Sequence, residues 1–187
     1  GVRGAARPPD RESRGAVASL AAGGISLPIN RPQNGATVND LLIKLCGMRE
    51  QALLNCAADL GVNLCGFIFA PESPRAVTPE RAAALDSRGM LRVGVFTTDD
   101  MRFIEATAAT ARLDRVQLHG DQSVTCAERL SRTLGAERLI RVLWPRRYPD
   151  RAALEADMER HAHAAGMFLL DAGTSGGGSG QRLNGER

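Results

Sequence analysis

Leu41-Leu42-Ile43-Lys44-Leu45-Cys46-Gly47-Met48 is an apolar run of strand length that ends in a thiol and a glycine. Far downstream, Met167-Phe168-Leu169-Leu170-Asp171-Ala172 is a second apolar run, which ends in a carboxylate and leads into the glycine-rich residues 173–180. If both runs are parallel strands of one sheet, their carboxyl ends lie at the same edge, where such sheets bind ligands. The two runs therefore predict a site that combines a base, an acid and a phosphate-binding loop.

Six apolar runs of strand length alternate with five amphipathic segments of helix length. Strands are predicted at residues 41–46, 64–69, 91–96, 114–118, 138–143 and 166–171. Helices are predicted at residues 49–60, 79–88, 99–112, 122–134 and 150–164. Apolar strands that alternate with helices are typical of a parallel sheet, either covered on both faces or closed into a barrel. One helix start is well marked, because Thr78 can cap a helix whose first position is Pro79.

These elements leave two α/β architectures open. One is a (β/α)8 barrel that is incomplete in this sequence, since a full barrel has eight strands and eight helices. The other is an open, doubly wound sheet. Both architectures bind ligands at the carboxyl ends of their strands, so the glycine-rich segment does not choose between them.

The composition indicates a globular domain. The chain has 187 residues, of which 43% are hydrophobic and 24% charged, and its net charge is only +3. That length allows one domain with a sizeable core. The arginines are spread along the chain, which argues against nucleic-acid binding. No apolar run reaches the roughly 18 residues of a membrane span. We expect a cytoplasmic protein that binds neither nucleic acid nor membrane.

The N-terminal segment differs from the remainder of the chain. Residues 1–38 contain Arg-Gly and Pro-Pro steps and show no sustained periodicity. We expect them to form a disordered extension, with a targeting segment as the alternative. The partial barrel domain is predicted at residues 41–187.

The cysteines and histidines show no metal-ligand spacing. Cys46, Cys56, Cys65 and Cys126 form no CxxC pair, so neither a zinc site nor a disulfide framework is expected. The apolar surroundings of Cys56 and Cys65 predict buried thiols, whereas His161 and His163, at a polar helix end, are expected to be exposed.

Five short motifs carry a family resemblance. They are Lys44-Leu45-Cys46-Gly47-Met48, Gly66-Phe67-Ile68-Phe69-Ala70-Pro71-Glu72-Ser73-Pro74-Arg75, Val93-Gly94-Val95-Phe96, Gln117-Leu118-His119-Gly120-Asp121, and Leu169-Leu170-Asp171-Ala172 with Gly177-Gly178-Ser179-Gly180. In this order they resemble the phosphoribosylanthranilate isomerases, (β/α)8-barrel enzymes of tryptophan biosynthesis. The resemblance covers residues 41 to about 184 and implies a barrel fold.

The activity that the resemblance implies is an Amadori rearrangement of N-(5-phosphoribosyl)anthranilate to 1-(2-carboxyphenylamino)-1-deoxyribulose 5-phosphate. By analogy with the family, Asp171 is the general acid that opens the furanose ring, and Cys46 is the general base that removes the proton from C2. Arg75 would bind the anthranilate carboxylate, for which a planar guanidinium is suited. The resemblance implies neither a metal nor an organic cofactor.

Three further assignments complete the expected site. Lys44 lies two residues before Cys46, so both side chains point to the same face of the strand. A thiol is largely protonated at neutral pH, and the Lys44 ammonium is the expected cation that favours its thiolate. His119 is expected to shape the mouth of the site and contact the substrate, with a role as a proton carrier as the alternative. Gly177, Gly178, Ser179 and Gly180 would bind the phosphate through their amides.

The resemblance also implies that the family's seventh and eighth strands are missing. We expect this chain alone to be poorly active, because the region after strand eight typically supplies much of the phosphate site. Fusion to, or association with, another enzyme of the tryptophan pathway is a further possibility. The rival functions are another sugar-phosphate isomerase or epimerase, and a non-catalytic, phosphate-binding partial barrel that assembles with a second chain.

Overall fold

The computed structural model describes residues 41–174. Its strands are β1 (Lys44–Cys46), β2 (Leu64–Ile68), β3 (Leu91–Phe96), β4 (Arg115–Leu118), β5 (Leu139–Leu143) and β6 (Met167–Leu170). Its helices are α1 (Gln51–Asp59), α2 (Pro79–Ala83), α3 (Met101–Thr110), α4 (Val124–Leu134) and α5 (Arg151–His161). Short 3₁₀ turns at Ala136–Arg138 and Pro145–Arg147 precede and follow β5. The predicted extension at residues 1–38 lies outside the described residues.

All six strands are parallel, and each pairs with the next strand along the chain. The spatial order is therefore β1-β2-β3-β4-β5-β6. A doubly wound sheet reverses its strand order at a switch point, whereas a (β/α)8 barrel keeps the order of the chain. Among the described strands the order is that of a barrel, so the doubly wound alternative is wrong.

Two layers of apolar side chains lie on opposite faces of the sheet. The larger cluster fills the space between the sheet and the helices, and it includes Phe67, Leu118 and Leu130. A smaller cluster on the inner face is built from Leu64, Val93 and Ile140, with Leu42, Leu91, Met167 and Leu169 packed against it. Because side chains alternate between the faces of a strand, one apolar strand supplies both layers.

The helix starts follow local rules, whereas the end of α2 differs most from its prediction. Thr78 Oγ1 accepts a hydrogen bond from the Arg81 amide at 3.1 Å, and Pro79 occupies the first turn, as predicted. The predicted helix at 79–88 is too long, since α2 ends at Ala83. The chain turns at Arg88 and Gly89, which have φ angles of 53° and 83° and cannot continue a right-handed helix.

Within the part of the chain that the structure describes, no helix has the length and apolarity needed to cross a bilayer.

We predict that Leu130→Ala lowers the free energy of unfolding by about 2–5 kcal/mol, because the substitution leaves a cavity between α4 and the sheet. Leu130 is fully buried. The matched control is Leu60→Ala, since Leu60 is 73% exposed and its loss should change the free energy by less than about 0.5 kcal/mol. Urea denaturation followed by circular dichroism gives both values. Equal losses in the two variants would show that α4 does not pack as described.

Candidate active site

Polar side chains from three strands meet on the inner face of the sheet. The Lys44 ammonium on β1 donates to Gln117 Oε1 on β4 at 2.5 Å. Gln117 Nε2 lies 3.0 Å from His119 Nδ1, and His119 Nε2 lies 3.0 Å from Asp171 Oδ2, directly after β6. These contacts form a continuous chain of hydrogen bonds, which we call the inner chain: Lys44, Gln117, His119 and Asp171.

The inner chain shows how strongly the sheet is curled. Neighbouring strands lie about 4.8 Å apart, so β1 and β4 would be separated by about 14 Å in a flat sheet. The contact between Lys44 and Gln117 closes that gap through side chains on the concave face. Three of the predicted site residues, Lys44, His119 and Asp171, are thereby brought together.

Lys44 also links the inner chain to Cys46. Burial lowers the pKa of the Lys44 ammonium, while its charge interaction and hydrogen bond with the Cys46 thiol oppose that shift. The Cys46 side chain itself is exposed at the end of β1. Gly66 on β2 makes room for it, because a Cβ atom at that position would lie 2.8 Å from the Cys46 sulfur.

Arg75 lies at the mouth of the site, beside Cys46. Its Nη1 donates to the Cys46 carbonyl oxygen at 3.2 Å, and the residue is exposed. Gly47 permits this approach, since a Cβ there would lie 2.9 Å from Arg75 Cδ and Nη1. The φ angle of Gly47 is +88°, a conformation that favours glycine.

Both carboxyl oxygens of Asp171 have partners, one in the backbone and one in the inner chain. Its Oδ1 accepts a hydrogen bond from the Gly173 amide at 2.9 Å, which orders the turn after β6. Its Oδ2 faces His119, and the side chains of Asp171 and His119 are only 16% and 12% exposed. A carboxyl group that is held at both oxygens and still reaches the surface is suited to proton transfer.

Arg147 ties together the loops that follow β4, β5 and β6. Its guanidinium stacks 4.2 Å from the centre of the Trp144 ring and forms an ion pair with Asp121. Its Nε donates to the carbonyl oxygen of Thr174. The Trp144 ring in turn lies 5.6 Å from the His119 ring. This arrangement packs one wall of the site around His119.

The sequence analysis did not assign roles to Gln117 and Arg147. Gln117 is only 2% exposed, and its two polar groups are satisfied by Lys44 and His119. One signal was present, since Gln117 and His119 are two residues apart and so share a face of the strand. The partner across the sheet, Lys44, gave no local signal.

Two predictions of burial are wrong. Cys56 is exposed on α1, whereas Cys65 is buried as predicted. His161 is only 4% exposed, because it lies at the end of α5 with Nδ1 against the Asp157 carbonyl oxygen at 2.9 Å. His163 is exposed as predicted.

The predicted phosphate-binding residues Gly177, Gly178, Ser179 and Gly180 lie outside the described residues.

No group of three His, Cys, Asp or Glu side chains within residues 41–174 is arranged to hold a metal ion.

The fold and the site define a class of protein: a (β/α)8-type barrel, of which six strands are described, with a thiol and a carboxyl group at the carboxyl ends of its strands. The sequence model of N-(5'-phosphoribosyl)anthranilate (PRA) isomerase matches residues 43–187. The chain belongs to the PRA isomerase family, as the resemblance predicted.

Curated relatives and solved structures give the extent of the match. The chain is 52% identical over 146 residues to an N-(5'-phosphoribosyl)anthranilate isomerase of Desulfovibrio desulfuricans, covering 78% of this chain and 67% of the relative. It is 39% identical over 140 residues to the isomerase of Maridesulfovibrio salexigens, covering 75% and 66%. The crystal structure of the Thermotoga maritima enzyme matches with a TM-score of 0.61 at 23% identity, covering 72% and 62%. The chain thus spans about two thirds of these relatives, and the last match confirms the barrel fold.

We predict that alkylation will separate the four cysteines by their burial. Cys46 and Cys56 are exposed, whereas Cys65 and Cys126 are buried. Burial also raises the pKa of both buried thiols, that of Cys65 to about 11, so little reactive thiolate forms at neutral pH. A time course with iodoacetamide at pH 7.5, followed by peptide mass spectrometry, should show Cys46 and Cys56 modified first. All four cysteines should react in urea. Equal rates for Cys65 and Cys46 in the folded protein would contradict the structure.

Proposed function

We propose that this chain carries the acid and base of a PRA isomerase, which rearranges N-(5-phosphoribosyl)anthranilate into 1-(2-carboxyphenylamino)-1-deoxyribulose 5-phosphate. The observation that carries the proposal is the inner chain, which joins the strand of Cys46 to Asp171 at one mouth. Family membership supports the reaction. A crystal structure at 24% identity contains the reduced product of this reaction, 1-(o-carboxyphenylamino)-1-deoxyribulose 5-phosphate.

The first step opens the ribose ring. Asp171 in its protonated form donates a proton to the ring oxygen, and the C1–O bond breaks with its electron pair going to that oxygen. The anthranilate nitrogen then forms an iminium with C1, which makes the hydrogen on C2 acidic. Asp171 suits this role because His119 and the Gly173 amide hold its carboxyl group in place.

The second step removes the proton from C2. Cys46 in its thiolate form accepts that proton, and the C–H electron pair forms the C1–C2 double bond of an enolamine. The enolamine then becomes the ketone by moving its hydroxyl proton to C1. Lys44 has a charge interaction and a hydrogen bond with Cys46, and it is the cation that we propose for stabilising the thiolate. A pair of such groups typically accelerates each step by roughly 10²–10⁴-fold.

Substrate binding would use groups at the rim. Arg75 can form two parallel hydrogen bonds to the anthranilate carboxylate, because its guanidinium is planar and exposed beside Cys46. The amides of Gly177, Gly178, Ser179 and Gly180 would hold the phosphate. The free thiols of Cys46 and Cys56 fit a reducing compartment. We infer a cytoplasmic enzyme, with association with another tryptophan-pathway enzyme as a further proposal.

We predict that Asp171→Asn and Cys46→Ser each lower kcat by roughly 10²–10⁴-fold, because each removes one proton-transfer group. The assay uses this chain joined to the part of the Desulfovibrio desulfuricans relative that lies beyond the match, and it follows anthranilate fluorescence. The matched controls are Asp59→Asn and Cys56→Ser, which change exposed residues of α1. Near-normal kcat in either site variant removes that residue from the mechanism. A folded chimera without turnover contradicts the proposed function and leaves the rival of a non-catalytic, phosphate-binding barrel.

We predict that Arg75→Lys raises KM by about 10–100-fold with little change in kcat, since an ammonium cannot bind a carboxylate through two parallel hydrogen bonds. A rise in KM alone is the result expected for a group that binds substrate and transition state equally. Arg88→Lys, an exposed substitution near α1, serves as the control. An unchanged KM in the Arg75 variant would show that this arginine does not bind the substrate.

A further inference from the structure

Gln117 occupies the centre of the inner chain, between a cation and an imidazole. We propose that Gln117, oriented by Lys44, is a positioning residue that holds His119 in the neutral tautomer with its proton on Nε2. The inference rests on the proposed function only in its consequence for Asp171, the proposed acid. The tautomer itself follows from the contacts of the free protein.

The direction of the Gln117 amide is fixed by Lys44. An ammonium group has three donors and no acceptor, so the atom that faces it at 2.5 Å must be the amide oxygen. If the amide were reversed, its NH₂ group would face the Lys44 ammonium, and two donors would meet. Gln117 is only 2% exposed, so no bulk water would replace the lost contact, and an unpaired buried donor is costly.

The amide direction then fixes the histidine. With its oxygen on Lys44, Gln117 presents only N–H groups to His119 Nδ1 at 3.0 Å. His119 Nδ1 must accept this hydrogen bond, so it carries no proton. The ring proton of the neutral imidazole therefore lies on Nε2, which donates to Asp171 Oδ2 at 3.0 Å. All three contacts run in one direction, from the Lys44 ammonium to the Asp171 carboxyl group.

The charged groups around His119 act against each other. The Asp171 carboxylate, in direct contact with Nε2, favours an imidazolium. The Lys44 ammonium, on the far side of Gln117, disfavours a positively charged imidazolium. The Arg147 guanidinium, which stacks on Trp144, also disfavours it, and the carboxylate of Asp121 partly offsets the charge of Arg147. A second proton on Nδ1 would also face the Gln117 N–H donor at 3.0 Å, a contact that favours the unprotonated Nδ1.

The consequence for the proposed reaction concerns the proton on Asp171. An imidazolium would form an ion pair with the carboxylate and hold it ionised, so that it could not act as an acid. A neutral imidazole carries no charge, so it lacks the ion-pair attraction that would favour the ionised carboxylate. An amide does not exchange its protonation state near neutral pH. Gln117 therefore positions His119 and does not carry protons.

The test is the protonation state of the three histidines in the 187-residue chain, measured by long-range ¹H–¹⁵N NMR of histidine-labelled protein at pH 7. The His119 signals are assigned by their loss in His119→Asn. We expect His119 to show an unprotonated Nδ1 and a protonated Nε2. A protonated Nδ1 in the wild-type protein, whether in the other tautomer or in an imidazolium, would overturn the proposal without any variant.

Two variants test the role of the amide. Gln117→Glu places a carboxylate where the N–H donor was, so His119 Nδ1 should become protonated. The matched control is Gln122→Glu, because Gln122 is also buried and its Oε1 accepts from a cation, Arg141, at 3.2 Å. The control should leave the His119 signals unchanged. An unprotonated Nδ1 in a folded Gln117→Glu variant would contradict the proposal.

The NMR readout is independent of turnover. If the chimera has no isomerase activity and His119 still shows the expected tautomer, the proposed function fails and the positioning role of Gln117 remains. If the chimera is active and His119 carries a proton on Nδ1, the function remains and this inference fails.

Discussion

The hydrogen bond between Lys44 and Gln117 is the contact on which the site depends, because it joins strands that a flat sheet would hold apart. The two residues are 73 positions apart in sequence and three strands apart in the sheet. Curvature alone makes their contact possible. The same curvature brings Asp171, which follows the last described strand, to His119, directly after β4. Residues from both ends of the described sheet thus reach β4 and the residue that follows it.

The inner face is divided into an apolar floor and a polar layer above it. Leu64, Val93 and Ile140 form the floor together with Leu42, Leu91 and two residues of β6. The polar layer begins at Lys44 and Gln117, where burial lowers the pKa of the ammonium and excludes water from the amide. Hydrogen bonds in such surroundings are stronger than in water, and an unpaired group is more costly. Because these surroundings are buried, a hydrogen bond of the inner chain with its donor and acceptor exchanged would be costly.

The match to a family and the match to solved folds support different conclusions, the first about the reaction and the second about the architecture. The match to the PRA isomerase family covers the strands and the segments between them, so it supports a reaction. The matches to solved structures at 23–24% identity support a barrel, since one barrel fold hosts many reactions. The residues that distinguish this site lie at strand ends and in the loops that Arg147 joins. Loop and strand-end positions are where a barrel acquires its chemistry.

The sequence by itself determined the six strands, the five helices, the Thr78 cap and the strand ends that carry Cys46 and Asp171. These features follow from short-range periodicity and from turn chemistry, which neighbouring residues encode. The tertiary structure decided the strand order that excludes a doubly wound sheet, the burial of His161, the exposure of Cys56 and the partner of Gln117. Each of these depends on which distant segment packs against a residue. A sequence period gives the face on which a side chain lies, whereas the curvature of the sheet determines what it meets there.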